Sequence, residues 1–538
     1  MDCLKRKKQA RPAPDQDGLE TEKEYAERWL SIRIIYFTIF LMSLGFSIVI
    51  TGVWPYLQKL DPSASKEYMG YIVAANPLAQ MLFSPLVGWW GNRSGSIRQP
   101  LLATLAVFTA ASAGFSALEV LPLHARKHTM LASRFLVGAS AANIAACRSY
   151  LSAATRLKER TAAVSMVSLA QVLGFIVGPG LQAAVTALGE QGVSLGGGLR
   201  LDMYTAASWI NVLFGVVNIV MFLPVFFKEK RIAAREAMLK QGVESEEATW
   251  RQVKPAYFSV WTLIVAFFVL SFNFVLLETL GTPLTMDQFA WTKKEALKYM
   301  GILMAIGAVI ACATFIAIGP LCKRFEERRV LIWGGFFLMV LGRALYLPWG
   351  SEPPLLASEN TTVTTDDGQS EQVGCPSYQE WCATTASMTV VQFLLGFVVT
   401  AIGYPIGITL IQTLYSKILG PRPQGVWMGL VTGSGCLSRC LGPVFVTYVY
   451  THLGTVWTFG ITAVLMAVSM VWLLLFQGRL VVPEEIEERL RQQENGTGKR
   501  PPGADPERPE PEDSDEDVAH VIVNPEAVQL QEMKTEKG

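Results

Sequence analysis

Charge is what this 538-residue chain has least of. Asp, Glu, Lys and Arg together make up 17% of it, against 51% hydrophobic residues. Soluble domains carry roughly 25% charge, so the composition excludes an ordinary soluble protein. Histidine is scarcer still. There are four, at 124, 128, 452 and 520, and no His-Glu-x-x-His pattern of a zinc hydrolase. Eight cysteines are too few for a disulfide scaffold. Cys436 and Cys440 lie four apart in an apolar run and do not resemble a metal site. Gly498-Lys499 lacks the Ser/Thr and the spaced glycine of a phosphate loop. The net charge of +1 leaves no basic field for nucleic acid. The chain thus reads as a non-enzyme with no cofactor site, proton coupling being the one chemistry left open.

Long apolar runs are what it has instead, and runs of eighteen or more read as membrane-spanning helices. We place twelve, at 34–56, 69–90, 101–122, 129–151, 162–187, 203–227, 258–282, 299–320, 330–349, 387–413, 426–450 and 455–477. An even number puts both termini on one side. With that side cytoplasmic, the N-tail and inside loops hold 26 Lys/Arg and the outside loops hold 8. The positive-inside rule therefore predicts cytoplasmic termini. The expected organisation is a polar N-tail (1–33), a six-helix half (34–227), a charged cytoplasmic linker (228–257), a second half (258–477) and an acidic tail (478–538). Both tails read as disordered. The longest outside loop, 350–386, carries the glycosylation acceptor Asn360-Thr361-Thr362. It also carries Cys375 and Cys382, expected as a local disulfide in an oxidising compartment, with two free thiols as the alternative.

The chain repeats itself. After span 2 comes Gly88-Trp-Trp-Gly-Asn92-Arg93-Ser-Gly95-Ser-Ile-Arg98, and after span 8 comes Gly319-Pro-Leu-Cys-Lys323-Arg324-Phe-Glu-Glu-Arg-Arg329. Gly88, Arg93 and Arg98 recur 231 residues later as Gly319, Arg324 and Arg329. Gly178-Pro179 in span 5 is echoed by Gly442-Pro443 in span 11. Two six-helix halves related by a parallel repeat are a transporter architecture. The Gly88–Arg98 string resembles the loop signature of the major facilitator superfamily. Arg134 and Gly138 resemble its Arg-x-x-x-Gly motif in helix 4. Gly174 to Pro179 resembles the Gly-x-x-x-Gly-Pro motif of its antiporter-like members. The resemblance implies an all-α membrane protein of twelve helices around a central cavity, monomeric by family default. Within the superfamily, Trp54-Pro-Tyr-Leu-Gln-Lys59, Pro283-Leu-Thr-Met-Asp287, Leu414 to Pro421, and Gly374-Cys375 with Trp381-Cys382 are similar to the branch that underlies a neuronal ceroid lipofuscinosis. That likeness implies a late-endosomal or lysosomal membrane and a link to chloride. The N-terminus has only basic Lys5-Arg6-Lys7-Lys8 and no acidic dileucine signal, so the plasma membrane is the alternative.

Ionisable groups inside spans are costly and therefore functional candidates. Arg439, near the middle of span 11, is the first candidate for substrate or anion contact; the alternative is a structural ion pair. Glu278 in span 7 is a candidate for proton coupling or for pairing with an arginine. Arg134 follows a family motif associated with proton coupling. Arg148 and Arg343 are expected to snorkel. Asn76, Gln80, Asn211, Asn218 and Asn273 either line a cavity or bond between helices. The repeated loops, Gly88, Asn92, Arg93, Gly95 and Arg98 with Gly319, Arg324 and Arg329, are expected to gate, their arginines binding helix carbonyl ends. Where the family pattern has Asp, this chain has Asn92, which predicts a weaker latch. Gly174, Gly178, Pro179, Gly442 and Pro443 are expected to give close packing and a bend, helix 5 against helix 8 or 11. The function expected is movement of a small solute or anion by alternating access, the alternative being a chloride-conducting channel on the same fold.

Overall fold

The computed structural model describes residues 19–481, except 51, 62–65, 190–191, 197–198, 244, 248, 250–255, 351, 358–360 and 365–369. The acceptor Asn360 and most of both expected tails lie outside the described residues. We number only the spanning helices. They are α1 (Glu22–Ile50), α2 (Lys66–Ser94), α3 (Arg98–Ser116), α4 (Leu123–Ala154), α5 (Leu157–Val185) and α6 (Ala206–Met221) in the first half. The second half has α7 (Tyr257–Phe289), α8 (Lys293–Arg324), α9 (330–345), α10 (Val390–Leu419), and α11 and α12, which share the run Gly425–Leu475. That run turns back at Gly454, whose φ of 83° needs a glycine. A side chain there would also strike the Trp381 indole. Among the described residues, nine helices are long and apolar enough to cross a membrane by themselves. Dividing one at Gly454, and adding α6 and α9, makes twelve.

Helix ends differ from the apolar spans for local reasons. α1 starts at Glu22 rather than 34, because its polar first turns are held by charge. The fully buried Arg28 donates to both Glu20 carboxylate oxygens (2.6 and 2.9 Å) and to Glu159 (2.9 Å). α1 stops at Ile50, and a new short helix, Val53–Leu60, carries Pro55 in its first turn, where a missing N–H is harmless. Thr292 with Glu295, and Thr389 with Gln392, form capping boxes that start α8 and α10. α9 begins as a π-helix over Val330–Phe336 before turning α-helical.

The sequence repeat is visible as packing symmetry. α2 meets α11 where Gly88 lies on Gly425, and α5 meets α8 where Gly319 lies 3.8 Å from Ala162, counted from the position a Cβ would take. Within the halves, Gly174 and Gly178 of α5 lie against α1, and Gly442 of α11 lies against Val275 of α7. The expected partners of the Gly174–Gly178 stripe were helices 8 or 11. The structure places α1 there instead, with the Ser47 hydroxyl donating to the Gly174 carbonyl at 3.0 Å. Small residues allow this approach, and a hydroxyl then bonds across it.

Candidate functional site

The two halves are joined at the face that carries the 228–257 segment, the linker face. Asn92 at the end of α2 accepts from the Gly425 N–H (2.9 Å) and donates to the Pro423 carbonyl (3.5 Å). It therefore occupies the free N-terminal amide end of α11, a site that attracts acceptors. The Ser416 hydroxyl donates to the Ser152 hydroxyl at 2.7 Å, and Arg160 donates to the Ser416 carbonyl at 3.3 Å. Glu327 takes a hydrogen bond from Thr161 of the first half and pairs with Lys417 of the second at 2.8 Å. A cavity of about 70 Å³, lined by Asn92, Tyr150 and Arg422 among others, lies in this seam. It holds none of the candidate charges.

Toward the opposite face, which carries loop 350–386, the halves part. Gly180 of α5 and Gly301 of α8 have no neighbouring atom within 4 Å of where a Cβ would stand. The strong polar contacts there stay within one half: Lys59 with Asp202 (2.6 Å) and Glu119 (2.7 Å), Lys127 with Asp61 (2.9 Å), and the Tyr450 hydroxyl donating to Asp287 (2.9 Å). Burial pushes the Asp202 carboxyl up, but Lys59 and the Thr205 and Tyr204 amides outweigh it and hold the group below the usual range. Cys375 and Cys382 are joined in a disulfide. The neighbouring Trp381 packs edge-on to Tyr450 at 5.2 Å.

Between seal and opening sits the charged site. Leu437, Leu441, Val444 and Tyr448 are exposed at helical spacing and mark the outer face of α11. Arg439 is also solvent-exposed but lies across the helix from them, so it faces internal space. Its guanidinium rests over Phe175 of α5 at 5.8 Å. No hydrogen bond or ion pair to Arg439 occurs among the described residues. Glu278 of α7, also exposed, and Tyr404 of α10 act on it electrostatically. Arg148 belongs to the same group. It donates to Gln171 of α5 at 3.0 Å and lies within electrostatic range of Arg439 and Tyr404. It does not snorkel, because its guanidinium is held by Gln171 of the neighbouring helix. Arg343 does not snorkel either: it is fully buried and donates to the Asn273 carbonyl.

The remaining candidates scatter. Arg134 is buried over Phe46 at 5.5 Å, and its Nε and Nη2 have no hydrogen-bond partner among the described residues. Asn211 and Gln80 bond between helices, to the Gly45 and Ala141 carbonyls. Of the loop arginines, Arg98 donates to the carbonyl of Phe227, in the segment that follows α6. Arg93 stacks on Trp89 at 5.4 Å, Arg324 on Phe325 at 5.8 Å, and Arg329 pairs with Glu326 at 3.3 Å. Sequence reasoning missed Glu229, which accepts from the Ile97 and Arg98 amides and so caps α3. It also missed the aromatic wall beside Arg439. Among the described residues, no group of three metal-ligating side chains comes together.

The family model of the Major Facilitator Superfamily matches residues 35–358 and 380–522. The chain belongs to the major facilitator superfamily. Its members are transporters, so this chain is a multi-pass membrane transporter. It is 40% identical over 493 residues to the major facilitator superfamily domain-containing protein 8 of Xenopus laevis, covering 88% of this chain and 96% of that protein. It is 28% identical over 301 residues to multidrug resistance protein 2 of Bacillus subtilis, covering 55% and 68%. Among solved structures it resembles the human organic anion transporter MFSD10 (TETRAN), with TM-score 0.58, 16% identity and 83% and 99% coverage. The proton:xylose symporter XylE matches with TM-score 0.60, 12% identity and 84% and 96% coverage. At these identities the two structures show the fold.

Proposed function

We propose that this protein carries a small anionic solute by alternating access across the late-endosomal or lysosomal membrane, with both termini cytoplasmic. The linker face is then the cytoplasmic face, and the structure corresponds to a state closed to the cytoplasm. The observation that carries the reading is Arg439: a cation reachable by solvent, between the halves, with no acceptor of its own. Arg148 adds a second positive charge and Glu278 one negative, so an anion is the ligand that balances the site where water is scarce. Glu278 is the candidate for coupling the anion to protons. The sealed cytoplasmic seam favours a carrier over a continuously open chloride pore. The compartment rests on the sequence resemblance.

The test is flux into proteoliposomes under an imposed proton gradient, with anions as competitors. Arg439→Ala should abolish uptake while the protein remains folded. Undiminished flux in that variant would sink the assignment. Glycosidase should lower the apparent mass through Asn360, which checks the side of loop 350–386.

A further inference from the structure

We infer that the cavity is shaped for an organic anion with a flat aromatic body, held between Arg439 and the ring pair Phe46–Phe175. This rests on the anion-carrier reading. The guanidinium of Arg439 lies against Phe175 at 5.8 Å, so its ring-facing side is already satisfied and its N–H edges are left for a carboxylate. A carboxylate bound at those edges places its attached group beside the ring. Phe175 meets Phe46 of α1 edge-on, with centroids 5.9 Å apart and planes at 88°. Arg134 lies on the other side of the pair, over Phe46 at 5.5 Å. The two rings are thus clamped between two cations, which holds their orientation. Both are only half-buried and line the space beside Arg439. On the second half, Tyr404 stacks flat on Phe274, with centroids 3.9 Å apart and planes at 15°, and it lies within electrostatic range of Arg439. A hydrated inorganic anion or a short carboxylate would neutralise Arg439 but leave these rings facing water. A ligand with its own ring covers them and gains offset or edge contacts.

The experiment titrates the purified full-length protein in lipid nanodiscs with benzoate, acetate and chloride, read by calorimetry. We expect benzoate to bind at least tenfold more tightly than acetate or chloride. Phe175→Ala should remove most of that preference, weakening benzoate binding at least fivefold more than it weakens acetate binding. Phe175→Leu keeps the volume without the ring and should also lose the preference, which guards against a folding defect in the alanine variant. Arg439→Gln should remove binding of all three. Equal affinity for the three anions, or an equal loss for all in both Phe175 variants, would overturn the aromatic assignment and leave the anion carrier standing. No measurable binding of any of the three, with Arg439→Gln unchanged from the parent, would overturn both.

Discussion

Replacing Gly88 by alanine should open the seam at the linker face. A Cβ at that position would run into the Gly425 carbonyl and, at 2.9 Å, the Val426 nitrogen; a Cβ on Gly425 would run into the Gly88 backbone. These are backbone atoms and cannot swing aside. Restoring ordinary contact requires α2 and α11 to separate by about 1 Å. That separation also stretches the 2.9 Å bond between Asn92 and the Gly425 N–H. Overpacking of this kind costs about 1–3 kcal/mol. Because the contact exists only with the seam closed, the whole penalty falls on one arm of the open–closed equilibrium. It should shift that equilibrium roughly 5–150-fold toward opening. Ser152 and Ser416, whose hydroxyls are 2.7 Å apart across the seam, supply the assay. With the free cysteines replaced, the pair Ser152→Cys and Ser416→Cys should crosslink readily, and Gly88→Ala should slow crosslinking at least fivefold. Gly70→Ala is the control, since nothing lies within 4 Å of its Cβ position. An unchanged crosslinking rate in folded Gly88→Ala protein would refute the reasoning.

Asn92→Asp should act in the opposite direction, because a carboxylate at the amide end of α11 adds charge–dipole attraction of about 0.3–1 kcal/mol. The same crosslink should form faster in that variant, and more so at low salt. Arg28→Ala would leave Glu20, 4% exposed, with Arg156 alone at 3.1 Å; losing one member of a buried pair costs up to about 3–5 kcal/mol, and the remaining arginine offsets part of that. A large fall in melting temperature is expected, whereas Arg235→Ala, on an exposed pair with Glu24, should change it little. For Asp202, the folded pKa lies below the ordinary value of 3.8, so its stabilising contribution is present above that value and lost as pH falls through it. The melting-temperature gap between parent and Asp202→Asn should therefore be constant from pH 7 to pH 5 and close only below about pH 3.8.

The parts of the fold written in short-range pattern were readable from the sequence. Apolar runs give the helices, and glycine at fixed offsets gives the repeat, because only glycine permits the backbone approach seen at Gly88 and Gly425. What each glycine packs against was not readable: Gly174 and Gly178 meet α1, a choice made by tertiary geometry and not by spacing. The site divides in the same way. Arg439 and Glu278 stand out because charge in a span is rare. Arg148 was read from its distance to the span end as a snorkelling residue, yet it bonds to Gln171 of α5, a partner that tertiary packing supplies. Phe46 and Phe175 carry no signal at all, since a phenylalanine in a span is by default a lipid or core contact. Glu229 was legible only as part of a charged linker, although it accepts from the first amides of α3.

The scaffold is two-fold, but the charges are not. Arg439 and Glu278 belong to the second half, and Arg148 to the first. Asn92 is matched by Lys323 in the repeat, so the acceptor facing α5 comes from a different position, Glu327, which takes the Thr161 hydroxyl. The two arginines repel one another across the cavity while it is empty. In the proposed anion carrier, a bound anion would remove that repulsion, and most in the arrangement that brings the halves nearest to it. A ligand shifts an equilibrium only by its difference in affinity between states. A site with cations on both halves supplies such a difference directly, whereas a site carried by one half would bind equally well in either state and move nothing. In the proposed anion carrier, placing Arg148 and Arg439 on different halves would couple occupancy to the motion of the halves.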